Sequence, residues 1–122
     1  MELNPSDKIQ RVGVTRRWSD VVMHGGVAYF VEVADDSTAD LRGQVKQVLQ
    51  QIESRLLSLK SDKSRLLQVL IYLSDLKDAP ILNEQWDAWV PEGHAPSRAC
   101  VQAGLAAGYR VEMVLTAVVG SE

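Results

Sequence analysis

The stretch Arg110 to Val119 is apolar on both sides of any strand it forms, since Val111, Val114, Leu115, Ala117, Val118 and Val119 occupy odd and even positions alike. Such a strand belongs where both faces are covered. The rest of the chain offers only two helical patterns, and two helices cannot cover both faces of a sheet. The second face is therefore expected to lie against other subunits.

The first helical pattern spans about residues 39 to 60. Leu41, Val45, Val48, Leu49, Ile52, Leu56 and Leu57 recur at three- and four-residue steps, and Arg42, Lys46, Gln50, Glu53 and Lys60 make the wet face. Ser37 or Thr38 is placed to cap it, and Gly43 weakens its first turn slightly. A second helix opens near Pro80 and runs through Asn83 to Val90, with Trp86 and Trp89 on one face as core anchors. Pro91, Gly93 and Pro96 end it.

The first 34 residues read as strands. Lys8 to Val14 gives a weak signal, and Ser19 to His24 and Val27 to Ala34 flank Gly25-Gly26, whose tolerance of positive φ predicts a primed hairpin turn. Ser61 to Ser64 is a turn, and Leu67 to Leu73 is short enough between turns to be a strand. The runs Ser97 to Leu105 and Arg110 to Val119 are expected to form a hairpin across Ala106 to Tyr109. The order is ββαβαββ. Strands in runs predict an α+β fold, two helices on one face of a mixed sheet, in one domain over residues 1–122.

Charge and composition exclude several function classes. A formal net charge of -3 without a basic cluster speaks against nucleic acid as a partner. Cys100 is the single cysteine, so no internal disulfide forms and a reducing, cytoplasmic setting is expected. Met1 to Val12 lacks the apolar core of a signal peptide, and the longest apolar run, Leu66 to Leu73, is too short for a membrane span. No CxxC, HExxH or carboxylate loop points to a metal, and no phosphate-cradling glycine loop is present.

Two charges stand where charge is costly. Arg98 opens the run Arg-Ala-Cys-Val, and Glu112 lies between Val111 and Met113. Each needs a partner or a wet pocket; a structural ion pair, or side chains pointing outward from an edge, is the favoured reading from the residues alone, because ion-pair networks mimic functional sites. In the expected hairpin their backbones would lie ~17 Å apart along the strands, too far to pair within one chain. Cys100 has no adjacent base to make it a nucleophile, so a small residue lining a cleft is the plainer reading. His24 is expected in solvent; for His94, in the loop just before Arg98, a place on the rim of the cleft is the less favoured reading.

The stretch Asn83-Glu-Gln-Trp-Asp-Ala-Trp89, then Pro96-Ser-Arg98-Ala-Cys100-Val and Tyr109-Arg-Val-Glu112, resembles the carboxy-terminal signature of the Rid (YjgF-like) family, and within it the YoaB-like branch. The resemblance implies a chorismate-mutase-like fold and a homotrimer with clefts between subunits. It implies that Arg98 grips the carboxylate of a small imino or keto acid, that Glu112 positions or activates water, and that backbone at Cys100 lies beside the substrate nitrogen. The implied reaction is hydrolysis of an enamine or imine such as 2-aminoacrylate to a 2-keto acid and ammonia, without a cofactor. Asn83 matches a position near the pocket, although an ordinary helix-capping or structural hydrogen bond explains it as well.

The sequence departs from the family pattern at Trp18, where a tyrosine is usual, and at Val31-Glu32, in place of Ser-Gly. The second change removes a hydroxyl and adds a carboxylate near the expected pocket. It leaves open a non-catalytic module that binds keto or imino acids in the same clefts. Nuclease or translation-inhibitor activity, attached to some relatives, fits the acidic balance poorly.

Overall fold

A computed structural model describes residues 8–120. The reading of the first residues as lacking a signal peptide falls largely on residues 1–7, outside that range. The chain runs β1 (Gln10–Val12), β2 (Val21–His24), β3 (Val27–Val33), α1 (Leu41–Ser58), β4 (Leu66–Leu73), α2 (Ala79–Trp89), β5 (Ser97–Gln102) and β6 (Val111–Val118). The strands form one mixed sheet in the order β1-β2-β3-β6-β4-β5, with only β4 and β5 parallel. This is the expected α+β arrangement. The weak signal at Lys8 to Val14 becomes a short edge strand.

Both glycines of the first hairpin have positive φ, 60° at Gly25 and 78° at Gly26, and His24 faces Val27 across the turn. That is the primed geometry matching the twist of the strands. Helix α1 buries Leu41, Val45, Val48, Leu49, Ile52 and Leu56 against the sheet. Its cap is Asp40 rather than Ser37 or Thr38: Asp40 Oδ1 accepts from the Gly43 amide at 2.8 Å, while Thr38 is engaged by Asp36 in the preceding turn. A carboxylate one residue before the first helical turn satisfies an orphan amide and complements the positive helix end. At the other end Lys60 takes φ 56°, and the Ser61 and Lys60 amides bond back to the Leu56 and Leu57 carbonyls. This is a Schellman closure with lysine where glycine is favoured.

The second hairpin does not form. β6 inserts between β3 and β4, and β5 lies outside β4, parallel to it. Two physical demands explain the difference. The helical crossover through α2 returns the chain parallel to β4, as βαβ units do. The strand apolar on both sides takes the centre, and Ser-Arg-Ala-Cys-Val-Gln, mostly exposed, takes the edge. β5 also ends at Gln102, short of the expected Leu105.

Along β6 every second residue (Val111, Met113, Leu115, Ala117) is fully buried beneath the helices, and Glu112, Val114, Thr116 and Val118 face the other way. Register carries that uncovered face through Tyr29, Val31 and Val33 on β3, Leu70 and Tyr72 on β4, and Ala99 and Val101 on β5. Tyr29, Val31 and Val101 are about half exposed there. The apolar surplus read from the last strand is thus a real sheet face with no helix over it.

Candidate functional site

The residues singled out from sequence fall into two groups. The first surrounds Glu112. β2 pairs with β3 only as far as Phe30, so beyond that residue the β3 edge opens. A cleft of about 680 Å³ occupies the opening, lined by Trp18, Asp20, Val31, Glu32, Arg55 and Glu112 among others. Glu112 enters from β6, opposite Val33 on one side and Tyr72 on the other. Trp18 sits in the β1–β2 loop, where Thr15 accepts from its amide at 3.1 Å and donates to its carbonyl. The residue is 62% exposed.

Glu32 points to the helix side of β3 and is tied there. Its Oε2 accepts from Gln51 Nε2 at 3.1 Å, and its Oε1 lies 3.7 Å from Arg55 Nε. Burial pushes its carboxyl above the usual range; the Gln51 bond and the Arg55 charge oppose this, and Asp35 and Asp20 add to it. Gln51 also donates to the Val33 carbonyl and accepts from the Asp35 amide, so one side chain fixes the strand exit beside the cleft.

The second group lies at the other margin of the sheet. Arg98, Cys100 and Gln102 pair with Val69, Ile71 and Leu73, whose side chains are buried under the helices, so all three point to the helix side. There the Arg98 guanidinium lies over the Trp86 ring of α2, 5.4 Å from its centroid. No carboxylate pairs with Arg98 among the described residues. Burial pushes the Cys100 thiol up against the pull of Arg98, which keeps it protonated at neutral pH and unsuited to nucleophilic attack. Asn83 stands one turn before Trp86 and inside α2, which begins at Ala79, so it does not cap that helix.

One chain does not bring the two groups together. Arg98 is level with Val69 and, through it, with Leu115, three residues from Glu112 and two strands away; the backbones are about 14 Å apart. Arg98 points to the helix side and Glu112 to the open face. The separation expected from a hairpin therefore holds, by a different topology.

The comparisons with known proteins bear on this arrangement. The family model described as Endoribonuclease L-PSP matches residues 8–119. A RutC family protein of Haemophilus ducreyi is 39% identical, over 93% of this chain and 99% of its own length. The RutC family protein YoaB of Escherichia coli K12 is 42% identical, over 91% and 98%. A solved member of the YjgF protein family from Neisseria meningitidis superposes with a TM-score of 0.88 at 37% identity, over 96% of this chain and 99% of that one. The chain belongs to the Rid/YjgF family. The resemblance read from Arg98, Cys100 and Glu112 is thereby established at the level of family and fold.

Sequence reading of this Rid/YjgF chain missed Asp20, Asp35, Arg55 and Tyr109 as site residues, which line the cleft from four separate segments. It also missed Gln44, fully buried, whose amide nitrogen donates to the Ala39 and Gly108 carbonyls and whose oxygen accepts from the Arg110 amide. Gly108 permits this closure: it has φ 87°, and a Cβ there would meet the Ser37 carbonyl oxygen at 3.0 Å. The available signal was the spacing of Gln44, Gln47 and Gln51, which puts three amides on one stripe of α1. Among the described residues no cluster of His, Cys, Asp and Glu has the grouping of a metal site, and no helix is long and apolar enough to cross a membrane.

Proposed function

We propose that the protein hydrolyses small enamine or imine acids of the 2-aminoacrylate type to a 2-keto acid and ammonia, in clefts completed between the subunits of a homotrimer. The observation that carries the reading is Arg98. Its guanidinium rests on an aromatic ring with no acid beside it among the described residues, so its in-plane donors suit a two-point bond to a carboxylate. Glu112, lining the cleft on the opposite face, is the complementary acid. The uncovered apolar face, with Tyr29, Val31 and Val101 half exposed, favours assembly that sets Arg98 of one subunit against the Glu112 cleft of another.

In this reading Arg98 holds the substrate carboxylate, and backbone at Cys100, two residues along β5, flanks the nitrogen. Trp18 supplies an aromatic wall, Val31 an apolar one, and Asn83 rims the Arg98 side. An enamine substrate first gains a proton at its β carbon and loses one from nitrogen, which gives the imine. Glu112 orients a water that adds to the imine carbon and relays its proton to nitrogen. The carbinolamine then breaks its C–N bond as its hydroxyl proton passes to that nitrogen, the electron pair leaves with ammonia, and the keto acid remains. The imine carbon is already electrophilic, so positioning and proton transfer suffice without a cofactor.

The test couples an amino-acid dehydratase to the protein and times the appearance of keto acid. Acceleration is expected with the wild type, none with Arg98→Ala and almost none with Arg98→Lys. No acceleration at micromolar wild-type protein would retire the proposal.

A second reading, a non-catalytic keto- or imino-acid-binding trimer, is favoured by the cleft itself, where Val31 brings no hydroxyl and Glu32 joins Asp20, Asp35 and Glu112. It predicts Arg98-dependent thermal stabilisation by a keto acid without turnover. The same carboxylates oppose the endoribonuclease activity named in the family description, since they repel a polyanion. Binding of single-stranded RNA at low salt would reverse that judgement.

A further inference from the structure

We propose that Trp86 is a positioning residue for Arg98: its indole face holds the guanidinium at the sheet margin so that the N–H fork is presented to an incoming carboxylate. The inference rests on the reading of Arg98 as the carboxylate-binding group and adds the residue that makes it competent.

Three other arginines spend in-plane donors on protein oxygens, whereas Arg11, Arg16, Arg17 and Arg110 show neither such a bond nor a ring contact among the described residues. Arg42 Nη2 reaches Glu84 at 3.2 Å, Arg55 Nε faces Glu32, and Arg65 Nη1 donates to the Lys60 and Gly120 carbonyls at 3.0 and 2.9 Å. Arg98 makes no side-chain hydrogen bond or ion pair among the described residues, and the contact that fixes its head is the Trp86 ring at 5.4 Å, within the ~6 Å reach of a cation–π interaction. Contact through the ring face leaves the five N–H donors, which lie in the guanidinium plane, unspent. On an edge strand a long side chain otherwise samples many rotamers, and ordering them beforehand lowers the cost of binding.

The platform is rigid. Trp86 is only 5% exposed, and Trp89 backs it with ring centroids 5.6 Å apart. Lys63 Nζ lies 5.3 Å from the Trp89 centroid and is held by Glu53 at 3.0 Å. The arrangement follows from strand alternation: Arg98 shares its face with buried Val69, which turns it toward α2 while the residue stays exposed at the sheet edge. A tryptophan serving only as core filling needs no cation over its exposed margin.

The experiment uses the full chain with 2-ketobutyrate as the binding probe, read by calorimetry, and dehydratase-generated 2-aminoacrylate as the kinetic one. Trp86→Leu keeps apolar bulk but removes the ring, and Trp86→Phe keeps a smaller ring. At equal folded fraction, Trp86→Leu is expected to raise the 2-ketobutyrate Kd and the KM by about 3- to 10-fold, with a smaller change in kcat, and Trp86→Phe to recover most of the loss. In an Arg98→Ala background Trp86→Leu is expected to add no further loss, because the two act as one unit. Unchanged Kd in folded Trp86→Leu, or an equal weakening with and without Arg98, overturns the inference while leaving the role of Arg98 intact. Binding indifferent to Arg98→Ala overturns both. Should Trp86→Leu fail to fold, Trp86→Phe decides alone: a Kd about 2-fold weaker only when Arg98 is present supports the inference, and no change refutes it.

Discussion

The two halves of the candidate site are built on opposite principles. Around Glu112 the chain gathers carboxylates at the open end of a central strand pair, in a cleft walled by four segments and braced by the Gln51 and Gln44 amides. Around Arg98 it sets one cation on an aromatic ring at an edge strand, with a free flank. The acid half is a cavity whose arginine, Arg55, is turned to Glu32; the basic half is a cation on an exposed edge strand with no carboxylate beside it among the described residues. The sheet keeps the two about 14 Å apart in one chain. A division of this kind is explained most simply by a site that two copies complete.

Subunit complementation puts that explanation at greatest risk. Arg98→Ala and Glu112→Gln are each expected to abolish deamination. Mixed in equal amounts, dissociated and reassembled, they should regain about a quarter of wild-type activity, the fraction of interfaces receiving both intact residues. Recovery indistinguishable from zero, with mixed oligomers demonstrated by mass, would place both residues in one chain's site and dissolve the comparison.

A stability measurement separates the halves next. Gln44 joins α1 to the loop that leads into β6, bonding to the Ala39 and Gly108 carbonyls and the Arg110 amide. Gln44→Leu strands those groups in a fully buried position, and a loss of about 2–3 kcal/mol in urea unfolding is expected. The damage should spread to the Glu112 half and spare the contact of Arg98 with Trp86. Hydrogen exchange that accelerates around residues 106–112 while residues 97–102 keep their protection would bear this out; uniform acceleration would not.

The halves also differed in how far sequence revealed them. The periodicity of α1, the Gly25-Gly26 turn and the two-sided apolarity of β6 are local signals, and each reports burial directly. Which strand lies beside which is not local. Ser97 to Gln102 and Val111 to Val118 follow one another in the chain, yet β4 separates them in the sheet. Arg98 and Glu112 were legible because a charge inside an apolar run is anomalous wherever the run packs. Asp20, Asp35, Arg55 and Tyr109 were not, because a polar residue in a loop or on a helix face is ordinary until the fold brings it to a cleft. Trp86 was read as a core anchor, and it is one; its margin against Arg98 depends on the parallel return of β5.

Within the acid half, Glu32 offers a titration. Its native carboxyl sits above the ordinary value of 4.5, so the folded protein keeps a proton that the unfolded chain has released. Stability contributed at low pH is therefore lost as pH rises from the ordinary value through the native one. Glu32→Gln removes that penalty while keeping a partner for Gln51. The melting temperature of the variant relative to wild type is expected to rise between pH 4 and pH 7. A difference that stays flat or falls over that interval would mean that the Arg55 contact outweighs burial.

The smallest effect is a control on both halves. Lys60 closes α1 with φ 56°, a conformation costly for a residue with a Cβ, and lies in neither group of site residues. Lys60→Gly relieves that cost in the folded state but adds freedom to the unfolded chain, so a net gain of only about 0.5–1 kcal/mol is expected. The Lys60 carbonyl accepts from Arg65, and glycine keeps that bond, since it belongs to the backbone. Unfolding should therefore move slightly while 2-ketobutyrate affinity and turnover stay at wild-type values. If affinity moved as well, the ends of α1 would be coupled to the site, and effects assigned to Gln44 or Glu32 would have to be read as properties of the whole helix rather than of the cleft beside it.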